Sequence, residues 1–126
     1  MSTSTSITRR YHAECAHWLP KVPEGHRCSR VHGHNYEVEV TVTGNPGGSG
    51  FIIDFFELDK YVLPIIERID HRTLNDITGL DNPTAELIAK WFWGMIRGVY
   101  VRREHYISNV RVYETKDCWA DFSFIP

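Results

Sequence analysis

The segment Cys28-Ser29-Arg30-Val31-His32-Gly33-His34 places a thiol close to two imidazoles that are two residues apart. If the chain is extended after Val31, side chains alternate faces, so His32 and His34 point the same way. Gly33 between them would let another group approach closely. Same-face imidazoles on a stiff strand are the start of a metal site, because a divalent ion takes nitrogen ligands at ~2.0–2.1 Å in fixed directions. His17 closes the preceding strand pattern and is the candidate third ligand. Three histidines without a fourth protein ligand leave an open position, the catalytic arrangement for zinc. Two other readings stay open. His32-Gly33-His34 could be a turn with two solvated imidazoles, or Cys28 could close a four-ligand structural site if the backbone bends before His32.

Three further groups could carry chemistry. Cys28 lies between Arg27 and Arg30. Neighbouring cations favour the thiolate, which can act as base or nucleophile. Cys15, in a strand pattern, reads instead as a small buried hydrophobe. Asp70-His71 follows a helix and could form a proton-transfer dyad, the aspartate holding the imidazole's tautomer and stabilising its charged form. Glu114 falls where an apolar strand face calls for another hydrophobe, and a carboxylate there needs partners. It suits a ligand with two parallel N–H donors. A salt bridge to Arg111 is the competing assignment.

These residues require a scaffold. Residues 1–6 read as a frayed tail and 7–16 as a strand, with Tyr11 and His17 on one parity and Glu14 on the other. Residues 20–30, with two prolines and a glycine, read as a loop. Residues 31–43 form the second strand, where Val38, Val40 and Val42 alternate with Glu37, Glu39 and Thr41. The glycine-rich stretch 44–50 lacks the Lys-Ser/Thr ending of a phosphate loop and reads as a hairpin turn to a short returning strand, 51–53. Asp54 and Glu57 open a helix whose apolar face is Leu58, Tyr61, Val62, Ile65, Ile66 and Ile69, with Pro64 expected to kink or split it. After a polar loop, 70–81, Asn82-Pro83 reads as N-cap and first residue of a second helix, with Leu87, Ile88, Trp91, Met95, Ile96 and Val99 as its buried stripe. Residues 106–115 and 120–125 complete the strands. The order implies one α+β domain over 1–126, an antiparallel sheet with two helices on one face.

Composition narrows the class. With 126 residues, 42% hydrophobic and 24% charged, the chain is long enough for a core of its own. A net charge of −2 argues against a nucleic-acid groove or a polybasic membrane patch. No apolar run approaches the ~18 residues of a membrane helix. The polar N-terminus and three cysteines, an odd number, point to a reducing cytoplasm.

The ordered set of motifs resembles the 6-pyruvoyltetrahydropterin synthase family, in particular its 6-carboxy-5,6,7,8-tetrahydropterin synthase branch in queuosine (7-deazaguanine) biosynthesis. The motifs are Ala13-Glu14-Cys15-Ala16-His17, residues 23–34, Ile52-Ile53-Asp54-Phe55, Asp70-His71, Leu74-Asn75-Asp76, Asn82-Pro83-Thr84-Ala85-Glu86 and Glu114-Thr115. The resemblance implies that His17, His32 and His34 bind zinc and that Cys28 is the catalytic proton acceptor. It also implies that Asp70 and His71 serve a proton relay, and that Glu114 holds the pterin ring and joins the relay. The three residues between Cys28 and His32 match the carboxy-forming branch, whose sister has a longer gap. Cys15 where alanine is usual, and the unfamiliar 116–119, depart from the pattern. The implied reaction turns 7,8-dihydroneopterin triphosphate into 6-carboxytetrahydropterin, acetaldehyde and triphosphate. The implied assembly is a homohexamer of the tunnelling-fold type, whose sheets join into a barrel with active sites between subunits. Lys21, Arg27 and Arg30 are the cations nearest in sequence for the triphosphate. The alternatives are the pyruvoyl-forming reaction and a non-catalytic, zinc-stabilised pterin-binding oligomer.

Overall fold

A computed structural model describes residues 3–102 and 104–126. Four antiparallel strands lie in sequence order: β1 (Thr5–His17), β2 (His32–Gly44), β3 (His105–Thr115) and β4 (Cys118–Ser123). Two helices, α1 (Phe55–Ile69) and α2 (Ala85–Val99), are inserted between β2 and β3 and pack on one face of the sheet. The expected α+β architecture is therefore present.

Alternation decides which face is covered. Tyr11, Ala13, Cys15 and His17 of β1, Tyr36, Val38, Val40 and Val42 of β2, and Val110 and Val112 of β3 are buried toward the helices. From α1, Leu58, Val62, Ile65, Ile66 and Ile69 descend onto them. Each such side chain contributes about 1.5–3 kcal/mol of transfer free energy, set against its ordering entropy. The other face is polar, with Arg10 bridging Glu37 and Glu39, and Arg111 bound to Asp121 through two nitrogens.

Several expectations give way. Thr5 and Ser6 are not tail: they pair with Gly44 and Thr43, because β2 runs on to Gly44 and offers them a partner backbone. Met1 and Ser2 of the expected tail lie outside the described residues. Residues 51–53 form no strand, and 44–50 is not a hairpin. The turn closes on itself through Gly50 N–H to Gly47 and Gly47 N–H to Phe51, and Asp54 then caps α1 by accepting from Phe56 N–H at 2.8 Å. Three residues between a turn and a helix cap leave no length for pairing. Gly44 itself is required, since a Cβ there would sit 2.6 Å from the Cβ of His105. Pro64 does not split α1, which runs unbroken to Ile69.

The second helix starts at Ala85, capped by Thr84, whose hydroxyl accepts from Leu87 N–H at 3.2 Å. Asn82 and Pro83 precede it. Its buried residues are Ala85, Ile88, Ala89, Phe92 and Ile96, while Leu87 and Val99 are exposed. Two alanines let the helix sit close to its neighbours beside the fully buried Ile88, Phe92 and Ile96. Within 70–81, Leu74 and Leu80 are buried, so this segment is anchored and not simply polar.

Candidate metal centre and the two hollows around it

The sheet delivers the three histidines to one place. β1 and β2 pair in a register that sets His17 against His32 and Cys15 against His34. All three imidazoles fall on the helix-facing side, beyond the end of the aliphatic core. Their centroids are 4.5 Å (His17–His32), 5.1 Å (His17–His34) and 5.0 Å (His32–His34) apart, and one candidate ligand atom from each lies within 4.8 Å of the others. The solvated-turn alternative for His32-Gly33-His34 therefore fails: both residues are in the β2 ladder.

Backbone groups orient two of the rings. Nδ1–H of His17 donates to the Pro83 carbonyl at 2.8 Å, with the Tyr36 hydroxyl 3.1 Å from the same nitrogen. His32 Nδ1–H donates to the Arg30 carbonyl at 2.7 Å. Each bond fixes a tautomer and leaves Nε2 with a free lone pair, the arrangement of metal-ligating histidines. Burial lowers the basicity of His17 and His34 below the ordinary imidazole value, keeping them neutral and able to coordinate. The Nε2 atoms of both are buried without a hydrogen-bond partner among the described residues. Such orphans cost about 1–3 kcal/mol each unless something occupies the space between them. A divalent cation fits this donor set.

Glu114 stands at the mouth of the cluster, with Oε2 3.5 Å from Nε2 of both His17 and His34. Arg111, its competing partner in sequence, is committed to Asp121 instead. Cys28 sits on a single 3-10 turn, Arg27–Ser29, and is partly buried. Its carbonyl accepts from Leu19 N–H at 2.8 Å, and its N–H donates to His26 Nδ1 at 3.0 Å. Cys28, His32, His34 and Glu114 line one cavity of about 560 Å³, together with Arg27 and Arg30, a size suited to a small-molecule ligand. Cys28 is not part of the imidazole cluster, so the closed four-ligand alternative has no support.

Cys15 behaves as the sequence reading expects. It is buried, its thiol donates to the Ile69 carbonyl at 3.2 Å, and burial raises its pKa to about 12.

Asp70 and His71 lie elsewhere. The segment after α1 runs along the outer edge of β1, where His71 N–H donates to Glu14, Ala16 N–H donates to the Arg72 carbonyl at 3.0 Å, and Ala16 bridges Thr73. His71 is the one non-glycine residue with positive φ among those described, at 60°. Asp70 caps this corner by accepting from Glu14 N–H at 2.9 Å, which holds its carboxyl below the ordinary value. The His71 ring stands between Asp70 (Nδ1 to Oδ1, 3.1 Å) and Glu14 (Nε2 to Oε2, 3.2 Å). It lines a second hollow of about 460 Å³ with Glu14, Gly33 and Asn35; Cys28 lines the other hollow, and His34 borders both. Gly33 opens toward this hollow, and a Cβ there would meet only ordinary contact, 3.5 Å from the Cys15 carbonyl. Close approach at Gly33 is thus not a requirement of the metal cluster.

The sequence reading missed three contributors. Tyr36 continues the parity of His32 and His34, a signal that was available. Pro83 acts through its carbonyl, and Asn75 clamps the Trp18 backbone just beyond His17 by donating to its carbonyl and accepting from its N–H. The spacing of side chains carries no trace of either contact.

Known proteins are similar to this chain in sequence and in fold. A family model described as 6-pyruvoyl tetrahydropterin synthase matches residues 6–123. The 6-carboxy-5,6,7,8-tetrahydropterin synthase of Synechocystis is 34% identical over 86% of this chain and 85% of its own, and that of Bacillus subtilis is 32% identical over 87% and 77%. The structure of Caenorhabditis elegans 6-pyruvoyl tetrahydropterin synthase superposes with a TM-score of 0.87 at 21% identity, covering 98% of this chain and 97% of that one, which is agreement in fold. With residues 6–123 matched by the family model and relatives above 30% identity over most of its length, the chain belongs to the 6-pyruvoyl tetrahydropterin synthase family.

Proposed function

We propose that this chain is a carbon–carbon lyase that converts 7,8-dihydroneopterin triphosphate to 6-carboxy-5,6,7,8-tetrahydropterin, releasing acetaldehyde and triphosphate, as a step toward queuosine. The observation that carries the reading is one cavity lined by His32, His34, Glu114 and Cys28, with the buried His17 completing the imidazole cluster. His17, His32 and His34 would hold zinc through Nε2. Bound there, zinc would polarise the oxygens of the substrate side chain as a Lewis acid. Glu114 would accept hydrogen bonds from the pterin ring N–H and amino groups and so fix the substrate's orientation. Cys28, as thiolate, would take a proton from a side-chain carbon of the substrate, and His71, supported by Asp70, would move protons at the neighbouring position.

Within one chain His71 and Cys28 face different hollows. The reading therefore includes a second copy whose Asp70 and His71 complete the cavity, in a homohexamer that joins sheets edge to edge. Two features support assembly. The outer edges of β1 and β4 are free for pairing over most of their length, and the apolar Val31 and Trp119 are 65% and 50% exposed. No described helix is long and apolar enough to cross a membrane.

The test is a zinc-replete assay that follows acetaldehyde and pterin products. Wild type should release acetaldehyde, and Cys28→Ala should lose about 10²–10⁴-fold in rate with its zinc retained. A pyruvoyl product without acetaldehyde would move the chain to the sister reaction. Turnover by neither protein with zinc bound would leave a binding module. Mixing Cys28→Ala with His71→Asn subunits should restore part of the activity; no recovery after confirmed subunit exchange would end the shared-site reading.

A further inference from the structure

We propose that Arg27 and Arg30 form the polyphosphate-reading edge of the Cys28 cavity, and that Lys21, the third cation nearby in sequence, does not. The assignment rests on the pterin triphosphate reading above and extends it to the substrate's charged end. A single 3-10 turn has three residues per turn, so side chains three apart stand one above the other. Arg27 opens that turn and Arg30 is its C-cap, with Arg30 N–H donating to the Arg27 carbonyl at 3.3 Å. The two guanidinium stems therefore leave the backbone on one side, roughly 6 Å apart along the turn, and both line the cavity with Cys28, His32, His34 and Glu114. Lys21 is exposed and does not line it.

The turn is held from three directions. Leu19 N–H holds the Cys28 carbonyl, His26 Nδ1 holds the Cys28 N–H, and the Arg30 carbonyl is tied to the ring of the metal-site residue His32. The arginines are thus positioned relative to the imidazole cluster by the same backbone that presents the thiol. Neither guanidinium is in a salt bridge among the described residues, whereas Arg9, Arg10 and Arg111 are each bound to a carboxylate. Two unpaired forks side by side suit a chain of phosphates, because each guanidinium can bind phosphate oxygens bidentately and carries its charge at every working pH. A single phosphate would engage one fork well and the other poorly. The pair should therefore favour the longer anion.

The experiment titrates inorganic tripolyphosphate, inorganic phosphate and 7,8-dihydroneopterin, which has no phosphate, into zinc-loaded protein by calorimetry. Zinc content is measured after each titration, to exclude its extraction. Tripolyphosphate should bind at least tenfold more tightly than phosphate. Arg27→Gln and Arg30→Gln should each weaken tripolyphosphate about tenfold or more and leave dihydroneopterin binding within twofold. Lys21→Gln should change neither. Tripolyphosphate affinity kept within twofold by both arginine variants, or lost equally in Lys21→Gln, overturns the assignment. Dihydroneopterin failing to bind wild type would instead overturn the pterin reading, since the arginines are read from tripolyphosphate alone.

Discussion

The imidazole cluster and the Asp70–His71 corner lie on either side of the end of β1, and they are built by opposite means. His17 is fully buried, its tautomer fixed by a backbone carbonyl, its basicity lowered by burial, and its free nitrogen without a hydrogen-bond partner among the described residues. His71 is exposed, rides on a left-handed backbone, and has a carboxylate at each ring nitrogen. Burial favours the neutral imidazole, the form that a metal would need. His71 instead stands in solvent with a carboxylate at each side of its ring. One strand end therefore carries histidines in two environments, and the proposed roles follow the difference in solvent access.

The largest effect should come from breaking the buried side. His34→Ala removes one of three donors and should lower zinc affinity by more than the ~10–100-fold typical of losing an outer-shell partner, with activity lost in step. Zinc per chain after dialysis measures it. Zinc retained at wild-type stoichiometry would remove His34 from the ligand set. On the exposed side, His71→Asn should keep its zinc and lose about 10²-fold in turnover, within the usual range for a general acid–base group. Loss of metal in that variant would mean that the two sites are not independent.

How much of this was legible depends on whether a feature is carried by side-chain period or by backbone position. The strand parities that place His17, His32, His34 and Glu114 on one face could be read directly, because a period of two leaves no choice once Val38, Val40 and Val42 are inside. The grouping of His71 apart from Cys28 could not. It follows from 70–73 running along the edge of β1, a contact made by Arg72 and Glu14 carbonyls that no side-chain pattern encodes. The same holds for Pro83, which reads as a helix start but serves as the carbonyl partner of His17. The α2 stripe holds at Ile88 and Ile96, with Trp91 and Met95 packed at the core's border, and fails at Leu87 and Val99, because Ala85, Ala89 and Phe92 take the contact and hydropathy gives the two alanines little weight.

Acidity should separate the two regions in a metal-free melt. His17 and His34 have folded-state basicities below the unfolded value of 6.5, so below about pH 6.5 the unfolded chain binds protons that the folded one refuses. Stability should then fall as pH drops from 7.5 toward 5.5, by at most ~1.4 kcal/mol per pH unit for each proton. Asp70 has a lowered folded value, so its contribution is present above the unfolded 3.8 and is lost only as pH falls further. Calorimetric melts at both ends of the upper window test this. A flat profile there would show that burial does not hold the cluster neutral.

The smallest expected effect bears on the exposed side. Glu14 holds His71 Nε2 at 3.2 Å, the nitrogen that a substrate would need, yet both side chains are mostly exposed, at 64% and 71%. An ion pair so open to water is worth about 0–1 kcal/mol, so Glu14→Gln should change turnover less than about fivefold. It should leave zinc content and the upper-window melt untouched, since Glu14 lies on the exposed parity of β1, opposite to that of His17. The direction is informative: removing the carboxylate frees Nε2 and leaves Asp70 as the ring's acidic partner among the described residues, so a modest gain means that Glu14 competes with substrate for His71. A loss of 10²-fold would instead place Glu14 in the proton path with Asp70, and the corner would then be a three-group relay in place of a dyad.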